Sequence, residues 1–177
     1  MATSQQEAQW VLQAQCGDRE ALELLLRGIQ PSLHRYLTRL AGSSVADDVL
    51  QEVLISLCRK LKWLQNPEVF RAWAFRVASR AAFRHLKKEK RLSAQHDDAV
   101  LDEFAAPANA PPPELLPALL NSDTLSPASR AVLTLHFQED LSLPEVAAIL
   151  EIPLGTVKSR LAYGLAALRK TFDPRSV

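Results

Sequence analysis

With 177 residues, 47% apolar and 23% charged side chains, the chain has room for one medium domain or two small ones and the composition of an ordinary soluble globular protein. No apolar run approaches the ~20 residues of a membrane span, and residues 1–16 lack the basic cluster and apolar block of a signal peptide, which argues against membrane insertion or export. The net charge is +1, and the two cysteines, Cys16 and Cys58, are far apart without metal-ligand spacing, which predicts a reducing, cytoplasmic setting and no metal or other cofactor.

Helical periodicity dominates from the start, and no stretch alternates with the period of a strand. Residues 4–16 form an amphipathic pattern that ends at Gly17. Asp18 is placed to cap a second helix carrying Leu22, Leu25, Leu26 and Ile29. Pro31 is read as the start of a separate short helix with Leu33, Tyr36, Leu37 and Leu40, which stops at Gly42. Ser44 precedes a long helix, VADDVLQEVLISLCRKLKWL. Its buried stripe takes Val49 or Leu50, Val53 or Leu54, Leu57 and Leu61, and Cys58 is expected to be buried among Leu54, Leu57 and Leu61. Asp47, Asp48, Gln51 and Glu52 gather at its outward N-terminal end. They are read either as complements to the helix dipole or as an acidic patch for a protein partner.

Pro67 opens a further helix that runs unbroken to Arg91. At ~100° per residue, Arg76, Arg80, Arg84, Lys87 and Arg91 share one face with Trp73 and Phe83, while Phe75, Ala78, Ala82 and Leu86 lie opposite as a core stripe. Guanidinium groups interleaved with aromatic rings suit nucleic acid, because cations attract phosphates and rings stack on unpaired bases. The same pattern also fits a solvated charged face with two rings turned inward.

From Leu92 to Ser126 the character changes. There is no Lys or Arg, and five of the eleven prolines fall between Pro107 and Pro117. This reads as a linker with one short helical turn near Leu115–Leu120; fully extended it would reach ~115 Å. Its acids Asp97, Asp98, Asp102 and Glu103 have no rigid frame for a metal and read as solvating charge. Beyond it, Ser126 and Pro127 start a helix with Val132, Leu133, His136 and Phe137. Ser142 and Glu145 form a capping box for LPEVAAIL. After the turn EIP comes LGTVKSRLAYGLAALRK, with Val157, Leu161, Leu165 and Leu168 at core spacing. Thr156, Lys158, Ser159, Arg160 and Tyr163 are left toward solvent. Two short helices and a tight turn before a helix with a polar, basic N-terminal face describe a helix-turn-helix, although an ordinary helical hairpin shares the pattern.

Charge follows this division. Residues 59–91 hold 11 basic and 2 acidic side chains, net +9, residues 92–126 are −6, and residues 155–170 are +4. Two basic blocks flanking an acidic linker suggest a polyanion touched at two places. The predicted fold class is all-α, two small helical domains joined by a Pro-rich acidic linker, the second a helix-turn-helix. The expected divisions are 1–91, 92–122 and 123–177.

Three motifs, ADDVLQEV (46–53), FRAWAFRVASRAAFRHLKKEKR (70–91) and LPEVAAILEIPLGTVKSRL (143–161), stand in the order and spacing of a bacterial RNA polymerase sigma factor of the extracytoplasmic-function group, which the chain resembles over nearly its whole length. The resemblance implies that Asp47, Asp48, Gln51 and Glu52 bind core RNA polymerase. It implies that Trp73, Arg76, Arg80, Phe83, Arg84, Lys87, Lys88 and Arg91 recognise and melt the −10 promoter element. Thr156, Lys158, Ser159, Arg160 and Tyr163 would meet the −35 element, so that promoter DNA is a partner both as duplex and as melted strand. An anti-sigma factor is a further expected partner, and no catalytic residue is expected. Arg80 stands where the family usually has Asn, Arg84 where it often has Asp, and Glu151 where Gly is common. The rival readings are a stand-alone helix-turn-helix regulator that binds duplex DNA without polymerase, which leaves the first 91 residues unused, and an all-helical adaptor, which leaves the +9 block unexplained. An enzyme has no support in motif, and the four histidines, His34, His85, His96 and His136, have no ligand spacing.

Overall fold

The computed structural model describes residues 4–92 and 125–172, with side chains described except at 90–92 and 170–172. The expected linker 92–122, its short turn and its acids lie almost wholly outside the described residues. Every regular element among the described residues is helical: α1 Ser4–Gln15, α2 Arg19–Ala41, α3 Ser43–Lys60, two 3-10 turns Leu61–Trp63 and Pro67–Val69, α4 Phe70–Leu92, α5 Pro127–Phe137, α6 Leu143–Leu150 and α7 Leu154–Phe172. The chain divides into two compact units, Met1–Glu89 and Lys90–Val177.

In the first unit Gly17 (φ +98°) turns the chain out of α1 in a conformation that disfavours a side chain, and Asp18 opens α2 by accepting from the N–H groups of Glu20 (2.9 Å) and Ala21 (3.1 Å). The break expected at Pro31 does not occur, since α2 runs through it as one helix. A proline inside a helix costs ~3 kcal/mol. The ring faces solvent while Ile29, Leu33, Tyr36 and Leu37 around it are buried, each side chain contributing ~1.5–3 kcal/mol, so packing outweighs the lost hydrogen bond. Helix α3 begins at Ser43, one residue before the expected cap, and has no acidic residue in its first turn. Asp47 and Asp48 thus sit a turn too far along for dipole complementation, which fades beyond the first turn. Its buried residues are Ala46, Val49, Leu50, Val53 and Leu57. Cys58, expected to be buried, is exposed, because it lies ~125° from the centre of that stripe.

Asn66 caps the turn that leads into α4 by accepting from the N–H of Glu68 at 3.0 Å. The expected stripe Phe75, Ala78 and Ala82 is buried, Leu86 is half-buried, and Ala74, Ser79 and Ala81 widen the buried arc. Small side chains let α4 approach its neighbour closely. Tyr36 of α2 meets the ring of Phe75 edge-on at 5.5 Å. Its buried hydroxyl lies 2.7 Å from Ser79 Oγ, which donates to the Phe75 carbonyl at 2.8 Å. With the only serine proton committed to that carbonyl, Tyr36 must be the donor. Burial pushes the Tyr36 phenol well above its ordinary value.

In the second unit Ser126 caps α5 by accepting from the N–H of Ser129 at 3.2 Å. The capping box of α6 forms as expected: Ser142 N–H donates to Glu145 Oε2 at 2.8 Å, and the Glu145 N–H donates to Ser142 Oγ at 3.4 Å. Glu151 closes α6 at φ +56° and ψ +43°, a left-handed conformation that glycine adopts more easily. Leu125, Leu133, Leu165 and Leu168 form the core beneath α7. Gly164 faces α5 so closely that a Cβ there would stand 2.6 Å from Leu133 Cδ1 and 3.4 Å from Ser129 Cβ. It is the contact at which α7 comes down on α5.

Candidate nucleic-acid interface

Helix α4 carries its cations on the side away from Phe75. Arg80, Arg84, Lys87 and Lys88 are exposed, and Trp73, Arg76 and Phe83 are half-buried among them. From Trp73 to Lys88 this face runs ~22 Å along the helix. The rings are therefore neither free nor buried: each offers part of its surface at the level of the cations. Trp73 leans on the buried Phe70, with ring centroids 6.1 Å apart. Arg76 Nε is sealed from solvent and has no hydrogen-bond partner among the described residues. Arg91 falls in the last turn of α4, and its side chain lies outside those described.

Among the described side chains, one cation of this helix points the other way. Arg71 lies on the buried arc, where its guanidinium donates to Ser32 Oγ at 3.1 Å, approaches Glu7 at 3.6 Å and stands 5.8 Å over the Phe75 ring. Burial pushes the Glu7 carboxyl up, and Arg71 partly pulls it back. Arg71 thus joins α1, α2 and α4 and belongs to the frame, although it lies within the basic block.

Toward its N-terminal end the α4 face opens into a groove lined by Lys60, Trp63, Leu64, Asn66, Val69 and Trp73. Trp63 is 66% exposed, a large ring left in water, and Lys62 Nζ lies 4.2 Å from its centre. Trp63 was not singled out in the sequence, where it falls at the end of a helix with no pattern to mark its direction. An exposed tryptophan and a half-buried one lining the same open groove, with lysines beside them, can hold a flat unpaired base and its phosphate.

The acidic group on α3 is exposed as a set: Asp47, Asp48, Gln51 and Glu52 all face solvent. Ile55, 44% exposed, continues this surface beside Glu52 and Arg59. Two of the acids have local partners. His34 Nε2 lies 3.1 Å from Asp47 Oδ1, and Arg84 of α4 forms an ion pair with Glu52. The latter pair joins the acidic surface to the basic one, and with both side chains more than half exposed it contributes less than ~1 kcal/mol.

In the second unit Lys158, Ser159 and Tyr163 on α7 are exposed, but Thr156 and Arg160 are half-buried rather than solvent-facing. Arg160 lies ~95° from the centre of the stripe formed by Val157, Leu161, Leu165 and Leu168, so it borders the core. Burial lowers its pKa, although an arginine stays protonated near neutrality. Ser159 Oγ donates to the Thr156 carbonyl at 3.0 Å, and Leu154 at the helix start is exposed. The geometry is that of a helix-turn-helix whose second helix presents few charges and a small polar end. Among the described residues no group of three or more His, Cys, Asp or Glu could hold a metal, and no helix is long and apolar enough to cross a membrane.

Comparison with known proteins bears on both units. Residues 25–92 match the family described as Sigma-70 region 2, and residues 123–170 match Sigma-70, region 4. The chain is 28% identical to the RNA polymerase sigma-H factor of Pseudomonas aeruginosa, over 98% of this chain and 97% of that protein. It is 29% identical to the ECF RNA polymerase sigma-E factor of Escherichia coli K12, over 93% of each. Among solved structures it is similar in fold to CnrH in complex with the cytosolic domain of CnrY, with a TM-score of 0.70 and 23% identity, covering 97% of this chain and 99% of that one. It is also similar in fold to the sigma factor RpoE of Bartonella quintana in complex with the anti-sigma factor NepR, with a TM-score of 0.65 and 22% identity, covering 85% and 95%.

Proposed function

Because this chain belongs to the sigma-70 family, as an RNA polymerase sigma factor of the extracytoplasmic-function type, we propose how its surfaces divide the work of starting transcription. Residues 1–91 bind core polymerase and open the −10 element, residues 92–122 connect, and residues 123–177 hold the −35 element. The α3 surface of Asp47, Asp48, Gln51 and Glu52, extended by Ile55, meets the polymerase. Its exposed carboxylates and its single exposed aliphatic side chain suit a basic protein partner with a small apolar contact.

The strand-opening surface is the α4 face. Arg80, Arg84, Lys87 and Lys88 hold phosphates, Arg91 extends the row, and Trp73, Arg76 and Phe83 lie where bases leaving the duplex would stack. Trp63 joins this set across the groove. On α7, Lys158, Ser159 and Tyr163 enter the major groove, with Thr156 and Arg160 at its margin. The observation that carries the reading is that cations and partly open rings share one face of α4 while its opposite side is closed by Phe75, Ala78 and Ala82. The chain performs no chemistry of its own, takes no cofactor and acts in the cytoplasm beside the polymerase. The relative from Bartonella quintana was solved with an anti-sigma factor, and we extend that class of partner to this chain.

The test is reconstitution. Mixed with cognate core polymerase and genomic DNA, the protein is expected to start run-off transcripts at defined promoters, whose sequencing yields both elements at once. Tight binding to those promoters without polymerase, and no transcripts with it, would restore the stand-alone regulator.

A further inference from the structure

Gln15 ends α1 and is half-buried. Its carboxamide nitrogen lies 2.9 Å from the carbonyl oxygen of Leu61 and 2.8 Å from that of Leu64, which stand 46 and 49 residues away in sequence. An amide nitrogen has two N–H donors, and here both are used. The two carbonyls belong to the first residue of the 3-10 turn Leu61–Trp63 and to the residue that follows it, where α3 has ended. Leu64 N–H closes the turn onto Leu61 at 3.0 Å, so Gln15 grips both ends of one small loop from outside it.

What this loop presents is Trp63. The buried Leu61 fixes its first residue, and the Gln15 amide fixes the carbonyls on either side of the tryptophan. Trp73, which lines the same groove, sits on the separate helix α4 and leans on Phe70. The placement of one indole ring relative to the other therefore depends on how the turn is held against α1. Resting on the reading of α4 as the strand-opening surface, we infer that Gln15 is a positioning residue for that surface. It touches no DNA, but its two hydrogen bonds set Trp63 against Trp73 and so set how sharply the groove distinguishes one unpaired base from another.

The experiment uses the full chain in holoenzyme with forked promoter probes that carry each of the four bases at the unpaired −10 positions. Gln15→Met keeps the length and apolar body of the side chain and removes both donors. It is expected to narrow the ratio between best and worst base about fivefold and to slow opening by a similar factor, while affinity for core polymerase stays unchanged. Should Gln15→Met fail to fold, Gln15→Asn takes its place with the same expectations, its amide being one methylene too short to reach. An unchanged ratio in the Gln15 variant, with a narrowed one in Trp63→Ala, overturns the inference and leaves the reading of the groove intact. If Trp63→Ala and Trp73→Ala both leave base discrimination and opening untouched, the reading of the groove falls and the inference falls with it. Equal losses in polymerase affinity and discrimination in the Gln15 variant would mark it as merely structural and also overturn the inference.

Discussion

Helix α4 buries alanine and serine on its inner side and carries Arg80, Arg84, Lys87 and Lys88 outward, with Trp73 and Phe83 half-open between them. Helix α7 instead buries Val157, Leu165 and Leu168, uses Gly164 to come down on α5, and offers Lys158, Ser159 and Tyr163 at its exposed N-terminal half. The first is a long charged track interleaved with rings. The second is a small polar tip. On the division of work proposed above, one protein would meet the same polymer in two physical states with two kinds of helix: for melted strand the energy would come from phosphates and stacking, for duplex from fit.

The contrast breaks most visibly at the rings. Trp73→Ala or Phe83→Ala is expected to cost ~1–3 kcal/mol in strand opening, followed by permanganate reactivity of the −10 bases, while initial duplex binding changes little. Equal losses at both steps would make the rings structural and erase the difference between the two helices. On the other side, Arg160→Ala is expected to weaken binding to a −35 duplex by ~1–3 kcal/mol if it reaches a base edge, and Lys158→Ala to lower the salt slope by ~1 if it holds a phosphate. Because Arg160 borders the core, its variant also needs a thermal-unfolding control. No change in binding would remove it from the interface.

Smaller effects test how the second unit is built. Gly164→Ala adds helix propensity but drives a methyl into Leu133, and a net loss of ~1–2 kcal/mol is expected in thermal unfolding. A gain instead would show that Leu133 can yield. The smallest effect is in Glu145. Its carboxyl is held below the ordinary 4.5 by the Ser142 hydroxyl and then by the Ser142 N–H. A carboxyl lowered on folding adds stability that is present above its unfolded value and lost as the pH falls through its folded one. Ser142→Ala is expected to flatten the pH dependence of unfolding below pH 4.5 and to leave its shape at neutral pH unchanged.

Much of this was legible in the sequence. Helix α4 and its two sides could be read because one 3.6-residue period runs unbroken through 23 residues. The α6 capping box could be read because every atom involved is local. Misreadings arose where distant packing decided. Pro31 signals a break, but the buried stripe on both sides of it holds α2 together. Cys58 lies at helical spacing from three leucines, yet only the neighbouring helices decide which arc of α3 is covered. Among residues of the site, Trp63 and Gln15 carried no local sign, since a glutamine that serves carbonyls 46 and 49 residues away looks like any polar helix residue. Gly164 lowers helix propensity locally, although its bareness is what permits the contact with Leu133.

The hydroxyl of Tyr36, sealed between α2 and α4, also makes the protein its own alkaline indicator. Below pH 10.0, the ordinary phenol value, folded and unfolded chains both keep the proton; above it the unfolded chain gives the proton up, while the buried group in the folded chain still holds it. Stability from this group is therefore whole below pH 10.0 and drains away as the pH climbs further. In a titration followed at the absorbance of phenolate, the Tyr36 signal is expected to rise only as the first unit opens, in step with the loss of helical dichroism. In the Tyr163→Phe variant, where Tyr36 is the one phenol left, a single ultraviolet trace would then report the moment at which α2 and α4 part.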